Sequence, residues 1–183
     1  YLLETKTISY APSATILHRT MTKDDERGLS SPLIIGLADE TIPFAQNEAE
    51  SISHLFEDVH LYLGEQATIE NMSSHLSHSG LLHLSTHATF RADNPMFSAL
   101  KLADGWLSVN DLYHIDHMPP LVTLSACETG RYQVATGDEL MGLSRGLLAG
   151  GARSIIVSLW MVEDKVTASL MTQFYTALQK GEP

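Results

Sequence analysis

Residues 121–130 read LVTLSACETG, a nearly continuous apolar run that ends in the only cysteine of the chain, Cys127, followed by a turn. A short run rich in Leu and Val that leads into a turn signal is typical of a strand covered on both faces. Strands of this kind are found in parallel sheets with helices on either side. The segment therefore predicts a layered α/β domain.

Working outward from this strand, five more segments show a strand-like pattern. They are TISYA (7–11), LIIGLA (33–38), HLYLG (60–64), LLHLST (81–86) and SIIVSLW (154–160). Amphipathic helical patterns alternate with them over 47–58, 68–80, 136–151 and from Asp164 onward. The alternation predicts an α/β fold in which a mainly parallel sheet is flanked by helices on both faces.

Local signals predict how these helices begin and pack. Asn47 is expected to cap the first helix, and Thr136 with Glu139 forms a capping box for the third. Gly142 and Gly146 are expected to let that helix lie close on a sheet. One side of the last helix carries Val166, Leu170, Phe174 and Leu178.

The segment between residues 86 and 121 contains no long helical pattern. SALKLADGWLSV (98–109) instead places the turn signal Asp104-Gly105 between two short strand-like arms. We therefore predict an accessory β-hairpin beside the main sheet, followed by a short helical turn over 110–116.

Composition limits the class of protein. With 183 residues, 44% of them hydrophobic, the chain suits one well-buried core, so we expect a single domain over 1–183 that is a fragment of a longer protein. A net charge of −11 argues against nucleic-acid or membrane partners. A lone cysteine forms no internal disulfide and no apolar window spans a membrane, so we expect a cytoplasmic location.

Two of the predicted strands end in reactive side chains. LLHLSTH delivers His87 and LVTLSAC delivers Cys127. If these strands are neighbours, their ends lie about 5 Å apart at the carboxyl edge of the sheet. A thiol nucleophile and an imidazole that moves its proton are the minimum for thiol catalysis.

The turn after the cysteine predicts an oxyanion site. Gly130 allows the chain to leave the sheet sharply, which frees the backbone N–H of Cys127 to donate a hydrogen bond. The N–H of Ala88, directly after His87, is the expected second donor.

These residues lie in segments that resemble the CHAT domain, a caspase-like family of clan CD cysteine peptidases that often follows TPR repeats in prokaryotic proteins. The resembling segments are LLHLSTHATF (81–90), SALKLADGWLSVNDL (98–112), LVTLSACETG (121–130), TGDELMGLSRGLLAGGARSIIVSLWMVED (136–164), LMTQFYTAL (170–178) and the weaker ISYAPSATIL (8–17). The resemblance implies a caspase-hemoglobinase fold with a catalytic dyad of His87 and Cys127. It also implies a peptide or protein substrate, regulation by an upstream domain such as TPR repeats or by another partner, and no cofactor.

The chain departs from related patterns at two places. Family members often carry glycine directly after the catalytic histidine, where this chain has Ala88. The caspase signature after the cysteine is also absent, because CETG has one more residue and an acid. Caspase-type cleavage after aspartate is therefore not expected.

Substrate selection is assigned to acidic residues near the same edge. Asp39 and Glu40 directly follow the strand LIIGLA, and Asp138 lies in the segment after Cys127. We expect one of them to line a pocket for Arg or Lys, with Trp160 as a wall of the cleft. The competing interpretation is helix capping and solubility for Asp138, and strand-end packing for Trp160.

Alternative interpretations remain for each candidate. A lone cysteine at a strand end is often inert core, and a phosphatase loop requires an arginine six positions on, whereas Arg131 follows after four. His83 is expected to be a hydrogen-bonded core histidine, and the other histidines lack metal-ligand spacing. Two functions therefore stay open, a cysteine endopeptidase and a catalytically silent interaction or regulatory module.

Overall fold

The structure, a computed structural model, describes residues 9–22, 27–91, 93–128, 139–158 and 162–181, without the side chains of 126–128 and 139–141. These described residues form seven strands, in chain order β1 (Leu33–Gly36), β2 (His60–Leu63), β3 (Leu81–Thr89), β4 (Ala99–Leu102), β5 (Gly105–Ser108), β6 (Leu121–Glu128) and β7 (Ser154–Val157). The same residues form six α-helices: α1 (Ala14–Thr22), α2 (Ala45–Ser53), α3 (Ile69–His75), α4 (Val109–Leu112), α5 (Glu139–Ala149) and α6 (Asp164–Gln179).

Five of the strands form a parallel sheet in the order β2-β1-β3-β6-β7. The predicted mainly parallel sheet is therefore confirmed. The chain first moves outward from β1 to β2 and then returns to the other side of β1 to place β3, β6 and β7. The order thus reverses between β1 and β3, and ligands of such sheets bind at the carboxyl ends of strands at this kind of reversal.

The predicted hairpin is present and is joined to the main sheet. Strands β4 and β5 pair antiparallel, and β4 pairs with the last residues of β3 through Ala88 and Leu100. The turn differs from the prediction by one residue, because Gly105 already pairs with Leu102 and the loop is Ala103 and Asp104. The Asp104 carboxylate accepts the N–H of Ile69, the first residue of α3. The second strand of the hairpin begins at the next residue, Gly105.

Hydrophobic side chains fill both faces of the sheet. On one face Leu82 and Leu84 of β3 pack in a cluster with residues from α3, α4 and α5. On the other face Leu81 and Ile34 pack with residues from α2 and α6. Alternate residues of a strand point to opposite faces of the sheet. Within β3, Leu82 and Leu84 therefore face one layer of helices, whereas Leu81 faces the other.

The first predicted helix starts earlier than its local signal indicated. Helix α2 begins at Ala45, so Asn47 lies inside it and does not cap it. The capping position is Phe44, whose side chain makes no capping hydrogen bond. The N–H of Phe44 instead donates to the Asp164 carboxylate, 2.7 Å away at the start of α6. A tertiary acceptor therefore replaces the local cap that the Asn47 prediction assumed. Helix α3 has a local cap that was not predicted, since the Thr68 hydroxyl accepts the N–H of Asn71.

The prediction that the glycines of α5 lie against the sheet was wrong. A Cβ on Gly142 would lie 3.0 Å from the Pro95 carbonyl and one on Gly146 would lie 3.0 Å from Leu112, so this face of α5 lies against short helical segments. Leu143 and Leu147 of the same helix pack in the cluster on the sheet. On α6, Val166 and Leu170 are exposed, whereas Phe174, Tyr175 and Leu178 pack into the core. The strand predicted at 7–11 is absent over 9–11, and helix α1 was not predicted.

Several predictions lie outside the described residues. They concern residues 7 and 8, the capping residue Thr136, and the end of the last strand segment over 159–160. In the parts of the chain that the structure describes, no helix has both the length and the apolar character needed to cross a bilayer.

Candidate active site

The strands that carry His87 and Cys127 are neighbours. Strands β3 and β6 pair in parallel register over eight residue pairs, and His87 is the partner of Cys127 in that ladder. Paired residues of adjacent strands lie about 5 Å apart across a sheet. The condition stated from the sequence, that these strands are neighbours, is therefore met, and both residues lie near the carboxyl edge of the sheet.

The His87 side chain is buried and held on one side of its ring. Its Nε2 lies 2.6 Å from Oδ2 of Asp39 and 3.1 Å from Oγ1 of Thr41. Among the described residues, the buried Nδ1 has no hydrogen-bond partner. The ring is thus anchored through Nε2, and Nδ1 makes no hydrogen bond with the described residues.

Asp39 is itself fixed by the loop that joins β1 to α2. Its Oδ1 accepts the N–H of Thr41 at 2.8 Å, the Thr41 hydroxyl at 2.7 Å and the N–H of Ile42 at 3.2 Å. An aspartate that accepts from residues two and three positions later forms an Asx turn, which the local sequence DETI permits without tertiary help.

The electrostatics of Asp39 favour its ionised form. Burial opposes ionisation, but hydrogen bonds from the hydroxyl and N–H of Thr41, and then from His87, outweigh it and lower the pKa of Asp39 to about 2. The side chain remains 51% exposed, which keeps a carboxylate on the cleft surface at neutral pH.

A groove of about 400 Å³ runs beside His87 on the β1 side. Asp39 and His87 line it together with Glu65, Lys101 and small residues of the neighbouring loops. The ammonium of Lys101 lies 5.4 Å from the ring centre of Trp106, a cation–π arrangement on the hairpin. Glu65 and Lys101 were not predicted from the sequence, because only the pairing of β1, β2 and the hairpin brings them to this edge.

The structure treats the predicted pocket residues differently. Asp39 lines the groove but its carboxylate is bound to His87, and Glu40 is exposed outside the groove. Asp138 and Trp160 lie outside the described residues, as do Gly130 and Arg131. The Asx turn of Asp39 was readable from the sequence, but its contact with a histidine 48 residues away was not.

Ala88 occupies a paired position within the sheet. It pairs with Leu100 of β4 on one edge and with Glu128 of β6 on the other, and it is 1% exposed. A strand amide lies in the plane of the sheet, so the N–H of Ala88 is directed toward a paired strand. The assignment of this N–H to an oxyanion stays a prediction.

A second polar cluster lies deeper in the same face of the sheet. The buried His83 places Nδ1 3.1 Å from the Tyr175 hydroxyl, which donates to Oγ1 of Thr123 at 2.7 Å. Nε2 of His83 lies 3.0 Å from the buried carboxylate of Glu48. Burial raises the pKa of Tyr175, which keeps the hydroxyl protonated. The prediction that His83 is a hydrogen-bonded core histidine is confirmed.

The described residues offer no cluster of three or more His, Cys, Asp or Glu side chains that could bind a metal.

Comparison with known proteins gives two findings. The sequence model of the CHAT domain matches residues 1–183. Tetratricopeptide repeat protein 28 of Mus musculus is 26% identical over 181 residues, in an alignment that covers 76% of this chain. The chain spans about 7% of the length of that relative.

Proposed function

Because the chain belongs to the CHAT domain family, whose members are caspase-like, we propose that it is a cysteine endopeptidase in which Cys127 is the nucleophile and His87 the proton carrier. The observation that carries the proposal is the register of β3 and β6, which pairs these two residues at the carboxyl edge of the sheet. Two rigid strands hold the pair, and rigid supports favour a reactive geometry.

The proposed reaction proceeds through an acyl-enzyme. His87 takes the thiol proton, and the sulfur of Cys127 attacks the peptide carbonyl to form a tetrahedral intermediate. The backbone N–H of Cys127 donates to the oxyanion, and His87 returns the proton to the amine as the C–N bond breaks. Water then attacks the thioester, His87 takes one of its protons, and the acid leaves as the thiol is restored.

We also propose that the groove beside His87 accepts a basic side chain of the substrate. Among the described residues that line it, Asp39 and Glu65 contribute two carboxylates, against the single ammonium of Lys101. The contact of Lys101 with the ring of Trp106 holds that ammonium toward the hairpin. The excess of negative charge supports Arg or Lys, and Glu65 replaces Glu40 among the residues assigned to selection.

The arrangement of the whole protein is part of the proposal. The mouse relative is named for tetratricopeptide repeats and is far longer than this chain. We propose that residues 1–183 act as one peptidase domain beside such repeats, and that a neighbouring domain or partner controls substrate access.

A catalytically silent interaction module is the second candidate. The observation that favours it is the position of Ala88, whose N–H is directed into the sheet, so that one expected oxyanion donor is withdrawn from the cleft. Such a module would keep the fold and the histidine–cysteine pair but would act by binding partners.

Labelling with a peptidyl acyloxymethylketone separates the two candidates. The reagent alkylates an activated thiol, and the chain has one cysteine, so a single adduct at Cys127 is expected. The His87→Ala variant should lose labelling, whereas His78→Ala, which changes an exposed histidine, should keep it. Equal labelling of the native chain and His87→Ala would overturn the peptidase proposal, and Cys127→Ala reports any background.

A further inference from the structure

We propose that Asp39 is a positioning residue that holds His87 as its Nε2–H tautomer, so that Nδ1 receives the proton of the Cys127 thiol. The inference rests on the proposed peptidase function because it concerns the same histidine and cysteine. It assigns Asp39 to His87 and not primarily to the substrate.

The hydrogen-bond partners of Nε2 determine where the ring proton sits. An ionised carboxylate only accepts, so Oδ2 of Asp39 at 2.6 Å requires Nε2 to donate. The hydroxyl of Thr41 uses its one hydrogen on Oδ1 of Asp39, and its oxygen can only accept from Nε2. Both neighbours therefore require a hydrogen on Nε2.

The other ring nitrogen is left as an acceptor. A neutral imidazole carries one N–H, so a hydrogen on Nε2 leaves a lone pair on Nδ1. Nδ1 is buried and has no partner among the described residues. Buried acceptors are rarely left unpaired, and Cys127 is the register partner of His87. A thiol proton would satisfy this nitrogen.

The Asx turn fixes the direction of the Asp39 carboxylate. Three donors from Thr41 and Ile42 converge on Oδ1, which leaves Oδ2 for His87. Burial opposes ionisation, but the hydroxyl and N–H of Thr41, together with His87, favour the ionised form and lower the pKa of Asp39 to about 2. Asp39 is thus a preformed anion beside the ring.

The proposed step transfers one proton and leaves the electron count unchanged. The S–H bond of Cys127 breaks, an N–H bond forms at Nδ1, and the products are a thiolate and an imidazolium stabilised by Asp39. Asp164 of α6 also interacts electrostatically with the His87 ring. The negative charge of Glu48 of α2 acts in turn on the Asp164 carboxyl. The charged groups across the groove are Glu65 and Lys101.

An asparagine at position 39 should reverse the tautomer. The three donors that meet Oδ1 would hold the amide oxygen there, and the amide NH₂ would take the place of Oδ2. It would then donate to Nε2 and move the ring hydrogen to Nδ1, which could no longer accept the thiol proton. An alanine removes the constraint without imposing the wrong tautomer, so Asp39→Asn should be slower than Asp39→Ala.

Alkylation of the single thiol by iodoacetamide between pH 5 and 9 tests this without a known substrate. The native chain should react with a midpoint below the value of about 8.5 for a free cysteine. At pH 6.5 Asp39→Asn should react about tenfold more slowly, since a roughly 100-fold smaller thiolate fraction is partly offset by greater intrinsic nucleophilicity. Asp39→Ala should lie between them. Glu57→Gln, a matched loss of one exposed carboxylate, should follow the native profile.

A native-like profile for Asp39→Asn would overturn the inference, as would an alanine variant as slow as or slower than the asparagine variant. The ¹⁵N shifts of His87 give a second measurement that needs no change at Asp39. In Cys127→Ala at alkaline pH, where no thiol proton moves, they should report the Nε2–H tautomer, and the Nδ1–H tautomer would overturn the inference.

The test also separates this inference from the peptidase proposal. A thiol activated in an Asp39-dependent way in a protein that hydrolyses no peptide supports the positioning role and counts against the peptidase. Peptide hydrolysis that is unchanged in Asp39→Asn supports the peptidase and counts against the positioning role of Asp39.

Discussion

Nε2 of His87 lies 2.6 Å from Oδ2 of Asp39, although 48 residues separate the two in the chain. The contact joins the loop after β1 to the end of β3, the two strands between which the strand order reverses. It places a carboxylate, an imidazole and the register position of Cys127 along one edge of the sheet.

Thr41 should control this contact through its hydroxyl. In Thr41→Val the N–H donor remains, but Oδ1 of Asp39 loses the hydroxyl donor at 2.7 Å and Nε2 of His87 loses an acceptor. We expect the pKa of Asp39 to rise and iodoacetamide alkylation at pH 6.5 to slow by roughly threefold, the equivalent of about one modest hydrogen bond. Thr41→Ser keeps the hydroxyl and should behave like the native chain. Equal slowing by both substitutions would contradict a role for the hydroxyl.

Asp39 should make stability depend on acid pH. The pKa of Asp39 is about 2 in the folded chain against an ordinary value of 3.8, so the folded state binds the proton less tightly than the unfolded state. Its contribution is present above about pH 4 and is lost as the pH falls toward 2. Because the side chain is half exposed, we expect less than about 1 kcal/mol.

Urea unfolding of the native chain and Asp39→Asn at several pH values measures this contribution. The difference in unfolding free energy should shrink as the pH falls from about 4 to 2. Asp93 and Asp111, whose pKa values are also lowered, are common to both proteins and cancel. A difference that grows in acid would show that the sign is wrong.

Glu65 should affect the choice of substrate more than the rate of the chemistry. It is exposed and lines the groove, so Glu65→Gln should lower kcat/KM for peptides with Arg or Lys by roughly twofold to fivefold, as expected for one solvated charge pair. Matched peptides with norleucine should be unaffected. Glu70→Gln on α3 is the control, since Glu70 is exposed and outside the groove. An equal fall for charged and neutral peptides would count against the basic pocket.

Tyr175 should stabilise the core through its hydroxyl. Tyr175→Phe keeps the ring in place but leaves Nδ1 of His83 and Oγ1 of Thr123 without this partner, which should reduce the unfolding free energy by about 1–3 kcal/mol. Tyr62→Phe is the comparison, because the Tyr62 hydroxyl is only partly buried and lies 3.4 Å from Nδ1 of His75. Thermal or urea unfolding of both variants gives the answer, and equal losses would contradict the importance of burial.

Gly36 should be required for the close approach of α2 to the sheet. A Cβ there would lie 2.7 Å from the Cβ of Ala49 and 3.0 Å from Leu63, so Gly36→Ala should destabilise the fold by about 1–3 kcal/mol through overpacking. Gly105→Ala serves as the control, since its nearest contact would be Ile69 at 3.8 Å. Denaturant midpoints that are unchanged by Gly36→Ala would show that α2 moves freely.

Local patterns predicted those features that depend on neighbouring residues. The apolar runs that became β1, β3 and β6, together with the hairpin, reflect preferences that act over a few residues. The Asn47 cap failed because a carboxylate from α6 meets the start of α2. Gly142 and Gly146 form a close-packing surface, as predicted, but the sequence of that surface does not indicate which element packs against it.

The positions of His87 and Cys127 near the carboxyl ends of two strands follow from local apolar periodicity and chain direction, which the amino-acid sequence alone contains. The pairing of these strands, the bond between Asp39 and the imidazole, and the presence of Glu65 and Lys101 in one groove follow only from tertiary contacts. The reason is that strand order and loop placement depend on contacts between residues far apart in the chain. A carboxylate after a strand has several possible partners until the fold brings one of them within hydrogen-bond distance.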